Sequence, residues 1–166
     1  MSERTKVREG ITHIPPGQGR TLWVVGDVYA FKALGQDTNG AFALVELTVS
    51  PQAGPPPHIH HREDEFYYVL EGEVEVLDGE RRTFTASAGS YVYIPKYTLH
   101  AFKNVREETA RMLVGFTPAG LEGFFFAAGE PAKEGEKPPP LEAAEIERIE
   151  RFAPEYGLEI RLPPEQ

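Results

Sequence analysis

A chain of 166 residues can bury a core of its own, and its length is typical of one domain. Its formal net charge of -9 argues against a nucleic-acid partner, and no apolar run approaches the ~18 residues of a membrane span. The absence of cysteine excludes disulfides, thiolate metal ligands and a cysteine nucleophile. The charged N-terminus lacks the apolar run of a secretory signal, so we expect a cytoplasmic protein. Abundant proline and arginine favour a heat-tolerant one.

Short runs rich in β-branched and aromatic residues predict strands through most of the chain. Residues 1–20 are expected to form an extended N-terminal arm, and the runs fill residues 21–118. Their nearly even spacing favours an antiparallel sandwich or barrel, and Leu77-Asp78-Gly79-Glu80 predicts a tight hairpin. The predicted strands are TLWVV, VYAFKAL, FALVELTV, EFYYVLEG, EVEVL, RRTFTA, SYVYIP, LHAFKN and ARMLVGF.

The pattern becomes helical after Pro118. GLEGFFFAAG predicts a short helix, KEGEKPPP a polar connector, and LEAAEIERIERFA places apolar residues near helical spacing. We therefore expect residues 119–166 to form a helical tail laid against the outside of the sheet. The whole chain, residues 1–166, is interpreted as a single domain.

The histidines are concentrated in one short stretch. His58 and His60 would share one face of a strand, about 6–7 Å apart, and could converge on a single ion. Glu65 opens the next apolar run and can supply an oxygen ligand. His100 lies beyond a hairpin and a further strand, and a closed barrel would bring it back beside the first two. Three imidazoles and one carboxylate suit a divalent first-row metal.

A simpler interpretation of the same stretch remains open. HIHH followed by EDE also fits a solvated, salt-bridged edge with no metal at all. His61, on the opposite strand face, is expected at the surface, and so is His13 in the N-terminal arm.

Two blocks of sequence, taken together, resemble the paired motifs of the cupin family. The first motif is G-x5-H-x-H, three or four residues, E, six residues and G, and the second is G-x5-P-x-G-x2-H-x3-N. The glycine that opens the first motif falls at Gln52, and the middle glycine of the second is Tyr97, so we expect the turn before His100 to be built differently. The positions in register are His58, His60, Glu65, Gly72, Gly89, Pro95, His100 and Asn104.

The resemblance implies an all-β fold, an antiparallel jelly-roll barrel with a short C-terminal helical tail. It also implies that His58, His60, Glu65 and His100 bind one divalent transition metal, which is iron, manganese, nickel, cobalt, copper or zinc. His61 would lie outside this site. Single-barrel cupins are commonly dimers, so a homodimer is expected, with no nucleic-acid or membrane partner.

Three further residues are assigned from strand alternation and from the motif. If Glu65 points inward, Tyr67 does too, and if His100 points inward, so does Phe102, because alternate residues share a strand face. Both aromatic residues are therefore candidate substrate-pocket residues. Plain core packing is the alternative for each. Asn104 either supports a metal ligand or caps a turn.

The whole-chain pattern is similar to that of small quercetin dioxygenase-like cupins. That resemblance implies a metal-dependent dioxygenase acting on a flavonol or another enol, with Glu65 as the catalytic residue that takes a proton from a substrate hydroxyl. A small-molecule binding or sensing cupin without turnover is one alternative. A metal-dependent isomerase is another, although the presumed pocket strands show few basic groups for an anionic substrate.

Overall fold

The computed structural model describes residues 9–162. These residues form helices α1 (Glu122–Ala128) and α2 (Ala143–Phe152), neither of which is long and apolar enough to span a membrane. The strands are β1 Arg20–Val24, β2 Asp27–Ala33, β3 Ala43–Val49, β4 His58–His60, β5 Asp64–Glu71, β6 Glu73–Asp78, β7 Arg82–Ser87, β8 Tyr91–Ile94, β9 His100–Lys103, β10 Ala110–Thr117, β11 Glu130–Pro131 and β12 Leu158–Ile160.

The strands pair antiparallel into two sheets. One has seven strands in the order β11-β1-β2-β3-β10-β5-β8, and the other has five in the order β12-β4-β9-β6-β7. The predicted antiparallel, mostly β fold is confirmed. The predicted closed barrel is not shown: within residues 9–162 the two sheets share no strand, and neither closes on itself.

Strand alternation directs one face of each sheet into a common core. In β3 every second residue is buried, from Ala43 to Val49, because successive side chains point to opposite faces. Val74 and Val76 of the smaller sheet belong to the same core cluster. Helix α1 adds Phe124 and Phe125 to this cluster, and its helical spacing supplies the buried stripe.

The nine predicted strands and both predicted helices are present, with ends within two residues of the predicted ones. The hairpin differs in detail: Asp78 pairs with Arg82, so the loop has three residues, with Gly79 at φ 73°. The tail is not purely helical, because β12 adds to the smaller sheet beside β4. The arm's first eight residues lie outside the described part of the chain, and the homodimer stays a prediction.

The two departures from the cupin motifs leave the backbone conformation of a glycine in place. Tyr97 has φ 71° and Gln52 has φ 65°, both in the left-handed region that costs an L-residue about 1–2 kcal/mol. Tyr97 thus adopts a left-handed conformation that glycine would adopt without strain. The Tyr97 N–H donates to the carbonyl of His60 at 2.8 Å, so neighbouring structure holds the strained residue in place.

One carboxyl group is buried in the fold away from the histidines. Asp27 is completely buried, and its Oδ1 accepts a hydrogen bond from the Ser50 N–H at 3.0 Å, whereas Oδ2 has no partner. Burial raises the pKa of Asp27 to about 7, although the Ser50 hydrogen bond acts in the opposite direction.

This pKa makes stability depend on pH with a known sign. Between pH 4 and 7 the folded protein keeps a proton on Asp27 that the unfolded chain has lost, so raising the pH over this range destabilises the fold. Asparagine is neutral at every pH, so Asp27→Asn does not share this loss of stability. Its free energy of unfolding, minus that of wild type, is expected to increase between pH 4 and pH 8 by on the order of 3 kcal/mol. Urea unfolding of both proteins at the two pH values measures this. An equal difference at both pH values would contradict the prediction.

Candidate metal centre

Three histidines of the smaller sheet come together because two neighbouring strands present them on the same face. His58 and His60 are alternate residues of β4, so both point inward while Ile59 between them does not. His100 on β9 is the direct cross-strand partner of His58. The ring centroids of His58 and His100 are 4.3 Å apart, and those of His58 and His60 are 4.9 Å apart.

The fourth residue of the cluster comes from the other sheet. Glu65 lies on β5, and its Oε2 is 2.7 Å from His100 Nε2 and 3.0 Å from His60 Nε2. One potential ligand atom from each of His58, His60, Glu65 and His100 lies within 4.8 Å of the other three. All four residues are at least 93% buried, so the cluster sits between the sheets rather than on the surface.

Backbone carbonyls orient two of the three imidazoles. His58 Nδ1 is 2.8 Å from the Pro56 oxygen, and His100 Nδ1 is 2.9 Å from the Thr98 oxygen. A carbonyl oxygen only accepts, so each Nδ1 carries the proton and each Nε2 is directed at the cluster. This is the orientation in which metal-binding histidines are held.

The electrostatics of the cluster favour an ion pair when no metal is bound. Burial alone would raise the pKa of Glu65, but the charges of His60 and His100 and the hydrogen bond with His100 outweigh it and hold that pKa below its usual range. Burial would lower the pKa of His100, but Glu65 outweighs it and the net pKa is raised. Burial, together with the other two histidines, lowers the pKa of His58 to about 3. A metal that binds His100 Nε2 would therefore displace the proton that this nitrogen directs at Glu65.

These residues suit a transition metal. Both nitrogens of His60 are buried without a hydrogen-bond partner, which is a costly state for an imidazole unless something else binds it. Three imidazoles and one carboxylate form a donor set that divalent first-row metals accept. The buried cluster of His58, His60, Glu65 and His100 could thus hold a metal ion, and its donor set fits any of the six metals expected.

An apolar cavity of about 50 Å³ adjoins the cluster between the sheets. His58, His60 and Glu65 form its polar side, and no arginine or lysine of the described residues lines it. The remaining wall includes aromatic and aliphatic side chains from α1, α2 and several strands. Among these are Phe102, Phe116, Phe124, Phe125, Ile149 and Leu158.

The other predicted site residues lie in different surroundings. Phe102 lines the cavity. Tyr67 is fully buried but does not line the cavity, and its ring packs edge-on against that of Phe102 with the centroids 5.6 Å apart. The Asn104 side chain forms hydrogen bonds with backbone groups of Val49, Arg106 and Glu108. These contacts agree with the second alternative, in which Asn104 caps a turn. His61 is 46% exposed and pairs with Glu159 at 2.9 Å, and His13 is also exposed.

Sequence reasoning missed two features of the centre. Glu63 is buried with its Oε2 3.7 Å from His60 Nδ1, and its even spacing from Glu65 was a signal that the two share a face. The tail was expected outside the sheet, yet Ile149 of α2 and Leu158 of β12 line the cavity. Nothing local in the sequence indicates that a segment so distant along the chain returns to β4.

Comparison with known proteins agrees with this geometry. Residues 45–116, from β3 to β10, match the family described as "Cupin domain", and this segment contains all four cluster residues. The solved structures that share the fold include KdgF from a Halomonas species, with TM-score 0.58, and a predicted oxalate decarboxylase from Thermotoga maritima, with TM-score 0.59. The family match supports the cupin resemblance for residues 45–116. At 22% and 16% identity the two structures indicate the fold alone.

The cupin match leaves the ends of the chain unassigned. The Halomonas structure covers 69% of this chain and 99% of its own, and the Thermotoga structure covers 64% and 99%. Among curated proteins, the polyketide synthase CurC of Streptomyces cyaneus is 45% identical over 62 residues, which is 37% of this chain and 39% of that protein. The chain spans between 39% and 53% of the length of the curated relatives it matches.

Proposed function

We propose that this cupin is a metal-dependent dioxygenase that acts on a small, largely apolar enol. The observation that carries the proposal is the position of the cluster: His58, His60 and Glu65 form the polar side of a cavity whose other walls are mostly apolar. A substrate that fits such a cavity offers one oxygen-bearing end to the metal and a hydrocarbon body to the walls. Four protein ligands would leave one position open on a five-coordinate ion and two on a six-coordinate ion, for substrate, water or dioxygen.

The chain's own residues have separate parts in this proposal. His58, His60 and His100 would hold the metal through Nε2, and the bound metal would supply Lewis acidity and a site for oxygen. Glu65 is ionised at neutral pH because its pKa is held low. The bound metal would lower the pKa of a substrate hydroxyl, whose proton Glu65 could then accept. Phe102 and the other apolar side chains exclude water from the reacting atoms.

The cavity's size and charge narrow the substrate class. A volume of about 50 Å³ is well below the 300–1,000 Å³ typical of drug-sized ligands, which favours a small enol over a three-ring flavonol. The absence of arginine and lysine from the described lining residues counts against a sugar phosphate or a dicarboxylate. The small volume and the lack of basic side chains both weaken the alternative of a sugar or keto-acid isomerase.

One comparison favours a second candidate that keeps the enol but omits dioxygen. The relative named polyketide synthase CurC is 45% identical over its matched segment. Polyketide chains contain 1,3-dicarbonyl units, which enolise and bind metals through two oxygens. Metal-assisted enol chemistry without oxidation is therefore the second candidate, and metal-dependent binding without turnover is the third.

Oxygen uptake by metal-loaded protein separates the three candidates. Protein loaded in turn with iron, manganese, nickel, cobalt, copper and zinc is mixed with 1,3-diketones, small cyclic enols and a flavonol, in air and under anaerobic conditions. The dioxygenase proposal expects oxygen uptake matched by loss of a diketone or small enol, with at least one of the redox-active metals. Substrate loss without oxygen would instead support the second candidate. Saturable binding with no conversion by any metal would support a binding protein and contradict both enzymes.

A further inference from the structure

The ring of His60 stands between two buried carboxylates. On the cavity side its Nε2 is 3.0 Å from Glu65 Oε2, and on the other side its Nδ1 is 3.7 Å from Glu63 Oε2. His60 and Glu63 are each 3% exposed, so bulk water does not reach the space between them. Glu65 belongs to the metal cluster, whereas Glu63 lies outside it.

His60 lacks the orienting contact that the other two histidines have. His58 and His100 each direct Nδ1 at the carbonyl of the residue two positions earlier. His60 Nδ1 has no hydrogen-bond partner, and neither has Glu63 Oε2, although the two buried atoms face one another. An unpaired buried polar group destabilises a fold, so two of them side by side require an explanation.

The explanation follows from the single proton of a neutral imidazole. When Nε2 binds a metal the proton must be on Nδ1, and Nδ1 of His60 faces Glu63. We propose that Glu63 is the positioning residue of the centre: it accepts the Nδ1–H of His60 and fixes the ring with Nε2 directed at the metal. The proposal rests on the proposed metal occupancy of the cluster.

The surrounding backbone leaves this task to the side chain of Glu63. The His60 carbonyl accepts from the Tyr97 N–H at 2.8 Å, and His60 pairs with Leu158 of β12, so the backbone of His60 is held on both sides. Rotation of the ring is the freedom that remains. Glu63 lies three residues on, in the short connection to β5. Its Oε2 is 3.7 Å from His60 Nδ1, so an approach of about 0.5 Å would give a hydrogen bond.

A merely structural role for Glu63 would have a different signature. If Glu63 stabilised the fold, its removal would lower the stability of the metal-free protein. Its carboxylate has an unpaired buried oxygen in that state, so a neutral side chain is expected to leave the metal-free protein as stable or more stable. A Glu63 variant that loses metal affinity but keeps the stability of the metal-free protein would therefore show that Glu63 positions His60.

The experiment compares wild type with Glu63→Gln, Glu63→Ala and Glu134→Gln. Glu134 is an exposed glutamate in the segment between β11 and α2, and it controls for loss of one charge. Zinc affinity is measured by competition with a chelator, and the stability of metal-free protein by urea unfolding. The His60 Nδ1–H resonance is followed by NMR in zinc-loaded protein labelled with ¹⁵N-histidine.

Glu63→Ala is expected to lower zinc affinity about 10–100-fold and to lose the hydrogen-bonded Nδ1–H resonance of His60. Glu63→Gln keeps an acceptor oxygen, so it should retain the resonance and lose less affinity, whereas Glu134→Gln should match wild type. Zinc affinity of Glu63→Ala within twofold of wild type would overturn the inference and leave the metal centre intact. A fall in metal-free stability with an unchanged resonance would also overturn it. Failure of wild type to bind zinc, iron, manganese, nickel, cobalt or copper would instead refute the metal occupancy itself.

Discussion

His100→Ala is expected to lower metal affinity about 100-fold or more. His100 offers one of the four ligand atoms, and its Nε2 lies 2.7 Å from Glu65 in the centre of the cluster. Four-ligand metal sites are worth about 10–16 kcal/mol, so one ligand contributes roughly 3 kcal/mol, which is about two orders of magnitude in affinity. Isothermal titration with zinc, or competition with a chelator, measures the change.

His61→Ala is the matched control for this prediction. His61 belongs to the same HIHH stretch, but its side chain is 46% exposed and pairs with Glu159 instead of facing the cluster. Its removal should leave zinc affinity unchanged. Equal losses in the two variants would mean that the histidines bind metal as an unstructured group, and the cluster as described here would be refuted. Circular dichroism of both metal-free variants checks that each has folded.

Glu65→Gln is expected to reduce turnover about 100-fold while much of the metal is retained. Glutamine keeps the shape of the side chain and one weak oxygen ligand, and the three histidines still hold the ion. It cannot accept a proton as a carboxylate does, and general base catalysis contributes about 10²–10⁴ to rates. Oxygen uptake with the active enol, together with elemental analysis, separates the loss of turnover from loss of metal.

The control for Glu65→Gln is Glu71→Gln, on the same strand. Glu71 is exposed at the end of β5 and pairs with Arg111 at 2.7 Å, far along the strand from the cluster. Its turnover should equal that of wild type. Turnover of Glu65→Gln within about threefold of wild type would contradict a base role for Glu65 and would leave it a metal ligand only.

The sequence by itself determined those features that depend on neighbours along the chain. Alternation of side chains is a property of any strand, so the spacing of His58 and His60 was enough to place both on one face. Turn residues and β-branched runs located nine strands, and helical spacing located α1 and α2. The motif spacing singled out Glu65 and His100, and the structure brings both to the same cluster.

Only the tertiary structure decided what lies between the sheets. Glu65 and the histidines come from different sheets, so the distances among them depend on how the sheets pack and not on strand periodicity. The same packing buries Glu63 beside His60. The motif positions Gln52 and Tyr97 give no local sign that they keep the glycine conformation, because neighbouring hydrogen bonds hold them there.

The tail shows the limit of local reasoning most clearly. Helical spacing predicted α2 correctly, yet a helix pattern does not state which surface the helix covers. In the structure Ile149 lines the cavity, and β12 pairs with β4 opposite His58 and His60. The size of the cavity, and with it the class of substrate, follows from contacts between residues about 100 positions apart. Such contacts depend on the packing free energy of the whole chain, which no local pattern encodes.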